Sequence, residues 1–333
     1  MLISCGNDSI GIQDCVSIRN LRYLVLCEGM YGYNNAELWG IGESGISELF
    51  YCNNQRKLGD TANDMLKLND STYIVIVSTS NEIIKLGKNG VMLASYQVKG
   101  AGHFLKKACM INDSIIAITD LYADKIYLFN HHKIHLDSLD IKGLCAPDGI
   151  AFAKNTFVIC NSGYGIFRKN DLNSSTIAVH DLHTSQTKFL KTGVNPQHVS
   201  HDEKNNHWFV QFAHLTTNPD SLGGIQIFDE KFTTIKEFRG SFIGIPIIHN
   251  DSVYAINGKS IVCFAYPFSR YDTLIINNTQ DNWYRIGMAD NRLYICNART
   301  FSTKGFIMLL DETKKTIKSQ YFVGMNPSIM IAI

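Results

Sequence analysis

Short apolar runs alternate with polar turns along the whole chain. At seven places an Asn-centred turn is followed by a run of β-branched and aromatic residues; these turns lie at Asn20, Asn69, Asn112, Asn155, Asn205, Asn250 and Asn291. Asn tolerates positive φ and bonds to its own backbone, so such a turn closes a tight hairpin between two twisted strands. The pattern therefore predicts one hairpin repeated seven times.

The spacing of these turns predicts the architecture. Consecutive turns are 41 to 50 residues apart, close to the period of about 45 residues that is typical of a four-stranded propeller blade. Another short strand precedes each turn and two more follow it, while helical periodicity is scarcely visible. We therefore expect an all-β protein, a single seven-bladed β-propeller domain over residues 1–333, with six blades as the alternative.

The two ends of the chain carry related patterns. The last residues, Asn326 to Ile333, repeat the start of a unit such as Asn195 to Ser200, and Leu2 to Cys5 resembles a second strand. Because a ring that mixes its termini cannot open without unpairing a strand, we expect both ends to close one blade. Residues 7–14 fit no part of the repeat, and their role stays open.

One string matches a dinucleotide-binding fingerprint. It is Gly40-Ile-Gly-Glu-Ser-Gly45, with Asp60 at the distance of a ribose-binding acid. The apolar stretch after it, Ile46 to Tyr51, is too short for the crossover helix that such a site requires. The glycines are therefore predicted to form a turn beside an outer strand.

Composition and charge exclude several classes of protein. Of the 333 residues 45% are hydrophobic and 18% charged, which suits a globular chain rather than a disordered one. The formal net charge of +1 provides no field to attract nucleic acid or an anionic membrane. No apolar run is long enough for a transmembrane helix.

The cysteines and the amino terminus favour a cytoplasmic protein. Nine cysteines are present, several lie inside apolar runs, and no Cys-x-x-Cys motif occurs. The first residues lack the basic and apolar regions of a signal peptide. We therefore expect reduced core thiols.

The repeat also predicts where polar residues gather. The first strand of each blade lines the central channel, so polar residues at its start should meet at one mouth. That ring comprises Asn63, Asp64, Lys106, Lys107, Asp148, Gln197, His198, Gly244, Tyr284, Arg285 and Ser328. A second ring follows the apolar runs of the hairpins and comprises Glu28, Ser78, Asp120, Asn161, Gln211, Asn257 and Asn297.

Each candidate also has a structural interpretation. Asp148 can cap the turn that its Pro-Asp-Gly sequence encodes, and His198 can be a hydrogen-bonded channel histidine. Arg285 can pack on the ring of Trp283. The amides of Asn161, Asn257 and Asn297 can bond to neighbouring backbone.

In the functional interpretation, these polar residues act together at the mouth of the channel. A histidine and carboxylates can act as general acid and base, which assigns catalysis to Asp64, Asp148 and His198. An arginine can anchor a carboxylate or phosphate. Substrate binding is accordingly assigned to Lys107, Gln197, Tyr284, Arg285, Asn161, Asn257 and Asn297.

Two segments resemble a known group of propellers. Ala146-Pro-Asp-Gly-Ile-Ala-Phe152 and Gly193-Val-Asn-Pro-Gln-His-Val-Ser200 resemble the strand openings of NHL, YncE-like and senescence-marker-protein/gluconolactonase-like propellers. Members of that group include lactonases and lyases with a divalent cation in the channel, and scaffolds without catalysis. The resemblance implies Asp148 and Glu28 as ligands of Ca²⁺ or Mg²⁺.

Three functions remain open at this point. The first is a hydrolase or lyase that binds a small sugar-like or hydroxy-acid substrate in the channel. The second is a scaffold that binds a protein partner on a loop face, for which Gly29 to Asn34 and Phe264 to Tyr271 are candidate segments. The third is a ligand sensor without turnover. No nucleic-acid or membrane partner is expected.

Overall fold

Seven antiparallel sheets of four strands surround one axis in the computed structural model, which describes residues 15–213 and 222–333. This confirms the all-β, seven-bladed propeller, and the alternative of six blades is wrong. In blades 2 to 7 the strands pair in chain order, so the first strand of each blade is the innermost one.

The strands are numbered in chain order. Blade 1 contains β1 (Leu21–Cys27), β2 (Glu37–Gly42) and β3 (Gly45–Glu48), followed by the short helix α1 (Phe50–Asn54). Blade 2 contains β4 (Ala62–Asn69), β5 (Thr72–Val77), β6 (Glu82–Gly87) and β7 (Met92–Gln97). Blade 3 contains β8 (Leu105–Met110), β9 (Ile115–Asp120), β10 (Lys125–Asn130) and β11 (His135–Leu139). Blade 4 contains β12 (Pro147–Ala153), β13 (Thr156–Asn161), β14 (Thr176–Asp181) and β15 (Gln186–Lys191).

The remaining blades follow the same plan. Blade 5 contains β16 (Pro196–Asp202), β17 (His207–Phe212), β18 (Gly224–Phe228) and β19 (Thr234–Arg239). Blade 6 contains β20 (Phe242–His249), β21 (Ser252–Asn257), β22 (Ser260–Ala265) and β23 (Tyr271–Ile276). Blade 7 contains β24 (Asn282–Ala289), β25 (Arg292–Arg299), β26 (Lys304–Asp311) and β27 (Thr316–Met325), and β28 (Pro327–Ala332) returns to blade 1.

The Asn-centred turns form by the expected chemistry. Asn155, Asn250 and Asn291 have φ of 61°, 48° and 53°, which is the left-handed region. At Asn69 the side-chain Oδ1 accepts the Ser71 N–H at 3.0 Å. Each inner hairpin is thus set by a local interaction that does not depend on its neighbours.

The core lies between neighbouring blades. Successive side chains of a strand point to opposite faces of its sheet. In β5, Tyr73, Val75 and Val77 pack towards blade 1, whereas Ile74 and Ile76 pack towards blade 3. Both faces of the second strand are therefore buried, which explains its continuous apolar run.

The ring closes where the ends of the described chain meet. Strand β28 pairs antiparallel with β1, with Val25 opposite Met330 and Leu26 opposite Ile329. The prediction that the termini share a blade is confirmed. The N-terminal strand of this closing pair is β1, Leu21–Cys27. Leu2 to Cys5 and residues 7–14 lie outside the described residues.

The glycine-rich string forms a turn, as predicted. Gly42 ends β2 and Gly45 begins β3, the outermost strand of blade 1. The five-residue helix α1 that follows was not predicted. No helix in the described part of the chain has the length and apolar character needed to cross a membrane.

The cysteines are only partly as expected. Cys27, Cys160 and Cys296 are free and buried, as their apolar runs predict. Cys15 and Cys52 form a disulfide that links the segment before β1 to α1, with Cα atoms 5.5 Å apart. The expectation of reduced thiols is therefore wrong for this pair, because the fold brings two distant positions into bonding range.

The buried side chains of the closing blade should support stability. Leu26 in β1 is fully buried, and its replacement by Ala should lower the free energy of unfolding by about 2–5 kcal/mol, the usual cost of such a cavity. Leu93→Ala, on the outer strand β7 where Leu93 is 54% exposed, should change it by less than about 0.5 kcal/mol. Urea unfolding measures both variants, and equal losses would show that the packing of Leu26 in the closing blade does not support the fold.

Candidate functional site

Each inner strand is bulged near its first residues. The pairing of the inner strand with the second strand shifts register between Leu105 and Ala108 in β8, between Pro196 and His198 in β16, and beside Arg285 in β24. A bulge places two residues of one strand opposite one residue of its partner and redirects a side chain. Consecutive polar residues can therefore face the same mouth of the channel.

A cavity of about 320 Å³ occupies that mouth. Its lining residues come from five inner strands and one loop of blade 7, and they are Lys106, Lys107, Asp148, Gln197, His198, Ile243, Gly244, Tyr284, Arg285 and Phe301. Most of them belong to the ring that the repeat predicted. The structure thus brings residues more than 150 positions apart to one place.

A second cavity of about 360 Å³ lies further along the channel. We call it the chamber. It shares Lys107, His198 and Arg285 with the mouth cavity, and these three side chains, here called the waist, separate the two spaces. Asp64 and Ser328 of the predicted ring line the chamber rather than the mouth.

Arg285 is held by an ion pair across the junction of blades 1 and 7. Its Nη2 donates to Glu28 Oε1 at 2.5 Å, and Tyr284 Oη donates to Glu28 Oε2 at 2.8 Å. Both charged groups are buried. Arg285 lies over the ring of Tyr284, 5.2 Å from its centroid, so the expected packing on Trp283 is wrong.

Lys107 is the second buried cation of the waist. Its Nζ donates to the Asn63 carbonyl oxygen at 2.5 Å and lies 3.9 Å from Asp64 Oδ1. Burial, assisted by repulsion from Arg285, lowers the pKa of Lys107 to about 8. Lys107 therefore changes its protonation state close to neutral pH.

Asp64 mainly connects two blades. Its Oδ2 accepts the Ala108 N–H at 2.8 Å, which joins β4 to β8. With one oxygen bonded to backbone and the other near Lys107, this carboxylate is occupied by structural contacts. Its predicted catalytic role gains no support from this position.

Asp148 is buried without a hydrogen-bond partner. Its carboxylate accepts no hydrogen bond from the described residues, and Oδ1 is fully enclosed. Burial raises the pKa of Asp148, while Lys106, Lys107 and Arg285 act in the opposite direction. The expectation that Asp148 caps its own turn is wrong, because the side chain lines the mouth instead.

His198 also lacks a hydrogen-bond partner. Neither ring nitrogen forms a hydrogen bond in the described part of the chain. The expectation of a hydrogen-bonded channel histidine is therefore wrong. Burial, with added repulsion from Lys107 and Arg285, lowers the pKa of His198 well below its usual range. The imidazole is therefore neutral at neutral pH, and its unpaired ring nitrogens are free to form hydrogen bonds with a bound molecule.

Gly149 sets the approach of the strands that carry these two residues. A Cβ atom at position 149 would lie 2.5 Å from the Gln197 carbonyl oxygen. Only glycine allows β12 to come this close to β16, which places Asp148 beside His198 at the mouth. Gln197 and Lys106 also reach the mouth, and Lys106 Nζ lies 5.6 Å from the Phe104 ring centroid.

The three asparagines that were predicted to bind substrate lie outside both cavities. Their side-chain oxygens accept backbone N–H groups: Asn161 from Cys145 at 3.1 Å, Asn257 from Ser241 at 2.9 Å and Asn297 from Arg299 at 2.8 Å. Other residues line the two cavities. These amides therefore hydrogen-bond to the backbone, as the structural interpretation expected. The prediction that they bind substrate gains no support.

The residues present do not suit a divalent cation. Both oxygens of Glu28 are occupied by Arg285 and Tyr284, and Asp148 faces the cationic side chains of Lys106, Lys107 and Arg285. Among the described residues no three His, Cys, Asp or Glu side chains come together as a metal site. The Ca²⁺ or Mg²⁺ that the resemblance implies stays a prediction without geometric support.

Some residues of the site carry no signal in the sequence. Thr119 accepts the Lys107 N–H at 2.9 Å and donates to the Asp148 carbonyl oxygen at 2.7 Å, so it fixes both strands. Phe301 reaches the mouth from the loop after β25. Both positions depend on register and loop course, which the period does not determine.

The chain resembles solved propellers in structure. Comparison of the sequence with protein-family models and with curated proteins finds no match. A catalytically inactive variant of virginiamycin B lyase from Staphylococcus aureus, solved with quinupristin, is similar at 12% identity and a TM-score of 0.58, over 90% of this chain and 84% of that one. The likeness is one of fold.

Two further structures show how widely this fold is used. A quinoprotein alcohol dehydrogenase-like protein from Bacteroides thetaiotaomicron has 11% identity and a TM-score of 0.66, over 94% of this chain and 78% of that one. A chain of a nidogen–laminin complex has 12% identity and a TM-score of 0.54, over 77% of this chain and 96% of that one. The site itself must therefore carry any functional argument.

Removing the carboxylate that pairs with Arg285 should be costly. Glu28→Gln leaves a buried guanidinium without a counter-charge and should lower the free energy of unfolding by about 3–5 kcal/mol. The matched control is Glu43→Gln, which breaks the exposed pair with Arg22 and should have a far smaller effect, because solvent screens both charges. Chemical denaturation compares the two, and a similar small loss in both would show that the buried pair does not support the fold.

Neutralising Asp148 should stabilise the protein at neutral pH. The pKa of Asp148 is higher in the folded than in the unfolded chain, so the native state binds more protons in that window and stability falls as pH rises through it. Asp148→Asn should therefore gain about 1 kcal/mol at pH 7. The gain should vanish in acid, below about pH 3, where the carboxyl is protonated in both states. Melting curves across pH test this, and a gain that persists in acid would assign the effect to something other than charge.

Proposed function

We propose that the channel mouth binds a small hydroxy acid and that the protein acts as a lyase on it. The observation that supports this most directly is the set of polar groups at the waist and mouth that the fold leaves unused. Asp148 Oδ1 is buried without a hydrogen-bond partner, and no ring nitrogen of His198 forms a hydrogen bond with a described residue, although both side chains face a cavity of ligand size.

The charges at the mouth favour an anionic ligand. Lys106, Lys107 and Arg285 contribute positive charge. Glu28 neutralises Arg285, Asp64 Oδ1 lies 3.9 Å from Lys107 Nζ, and burial disfavours ionisation of Asp148. One positive charge therefore remains without a close counter-charge. A ligand carboxylate near Lys106 would supply that counter-charge.

The same groups suit an elimination reaction. Neutral His198 would take the proton from the carbon next to the carboxylate, and the electron pair of that C–H bond would become the new C=C bond. The C–O bond to the hydroxyl at the next carbon would break, and the departing oxygen would take a proton from Lys107. The products are an unsaturated acid and water, so atoms and electrons balance.

One structural relative supports a histidine-dependent lyase on this fold. The virginiamycin B lyase variant described above is catalytically inactive and carries alanine in place of a histidine. At 12% identity this likeness does not assign a reaction to the present chain. It shows that a propeller can carry lyase chemistry, and His198 is the histidine here that faces the mouth.

A non-catalytic role is favoured by a different feature. The loops beside the mouth expose the aromatic side chains of Tyr31, Tyr33 and Phe167, and such a surface is typical of contacts with a protein partner. In the segment Phe264 to Tyr271, Phe264 and Phe268 are buried in the core, whereas Tyr266 is 59% exposed. Under this alternative the mouth would bind a ligand or partner without turnover.

Binding of 3-hydroxybutanoate tests the proposal. Calorimetric titration should show binding to the wild-type protein, and Lys106→Gln should weaken it about tenfold, because a charge-assisted contact is lost. Lys188→Gln, which removes an exposed lysine on the outer strand β15, should leave the affinity unchanged. Weakening of equal size in both variants would point to general charge rather than to the mouth.

Turnover is tested separately by His198→Gln. This variant should retain binding but lose release of water from the hydroxy acid, followed by mass spectrometry. If it retains full turnover, His198 is not the base. Binding without any turnover in the wild-type protein would favour the sensor.

A further inference from the structure

The chamber beyond the waist is lined mainly by aliphatic side chains. Leu66, Ile245, Ile247, Met288, Ile329 and Ile331 all line it and keep part of their surface unburied. They come from four different inner strands, so the apolar lining surrounds the axis. Apolar surface left open inside a protein favours a ligand that covers it.

The charged groups that touch the chamber lie at its waist end or are already occupied. Lys107, His198 and Arg285 form the waist itself. Asp64 is bonded to the Ala108 N–H and lies near Lys107. The chamber beyond them offers a ligand no unused charge within the described lining.

The two cavities are therefore opposite in character, and they adjoin at the waist, whose three side chains line both. A ligand that fits both has an anionic, hydroxylated head and an apolar tail. We propose that the chamber binds the alkyl tail of a 3-hydroxyalkanoate whose carboxylate lies at the mouth near Lys106. This inference rests on the proposed function and adds the class of substrate to it.

The head and the tail of such a ligand then have separate roles. The carboxylate and the 3-hydroxyl occupy the mouth and the waist, as in the short acid, and each further methylene enters the chamber. Burying one methylene favours binding about fourfold, until the chamber is filled. The waist side chains, which line both cavities, would hold C2 and C3 of the acid at the boundary.

The test compares 3-hydroxybutanoate, 3-hydroxyhexanoate and 3-hydroxyoctanoate by calorimetric titration. The affinity should rise about fourfold for each added methylene. Ile245→Thr and Ile331→Thr should each reduce the affinity for 3-hydroxyoctanoate about tenfold and leave that for 3-hydroxybutanoate unchanged. The control Ile276→Thr changes an exposed residue of β23 and should have no effect on any of the three acids.

The outcomes separate this inference from the proposed function. If 3-hydroxybutanoate binds and longer acids bind no better, the chamber does not take the tail, and the lyase proposal stands. If none of the three acids binds to the wild-type protein, the proposed function fails and the inference fails with it. Two different chamber variants guard against misfolding of one, and their melting temperatures are measured alongside.

Discussion

The pairing of β28 with β1 is the constraint on which the rest of the structure depends. Six blades are continuous in sequence, and each could form its hairpins locally, but their inner strands meet around an axis only when the ring is closed. Closure fixes the distance between inner strands that are far apart in the chain. The mouth exists because β8, β12, β16, β20 and β24 are held at that distance.

Closure and the candidate site share one residue. Glu28, directly after β1, donates its N–H to the Asn326 carbonyl oxygen and accepts the Ala62 N–H, so its backbone joins the closing strand to blade 2. Its side chain holds Arg285 of blade 7. A buried ion pair is seldom a net source of stability, because desolvation of both charges opposes the attraction. We infer that this pair is retained for the position it gives the guanidinium at the waist.

The sequence predicted the blades well, because the signal is local. Asn-centred turns and continuous apolar second strands are set by residues a few positions apart, and they recur with the period of the blade. The ring of polar residues followed from that period alone. Lys107, His198 and Arg285 were all expected near one mouth, and they line it.

The partners of those residues depend on contacts between blades and could not be predicted in the same way. Asp148 was expected as a possible turn cap, but its bulged strand points the carboxylate into the mouth. Arg285 pairs with Glu28, 257 positions away, rather than with the ring of Trp283. The pairing of Cys15 with Cys52 likewise depends on where α1 lies.

The waist also couples ligand binding to protonation. Burial lowers the pKa values of Lys107 and His198, and mutual repulsion among the cations adds to the effect. A carboxylate bound near them would favour their charged forms and raise both pKa values. By linkage, binding would then be accompanied by proton uptake and would weaken as pH rises. A bound acid would therefore compensate the repulsion that the fold imposes on these side chains, which is a physical reason for an anion rather than a cation to bind beside the waist.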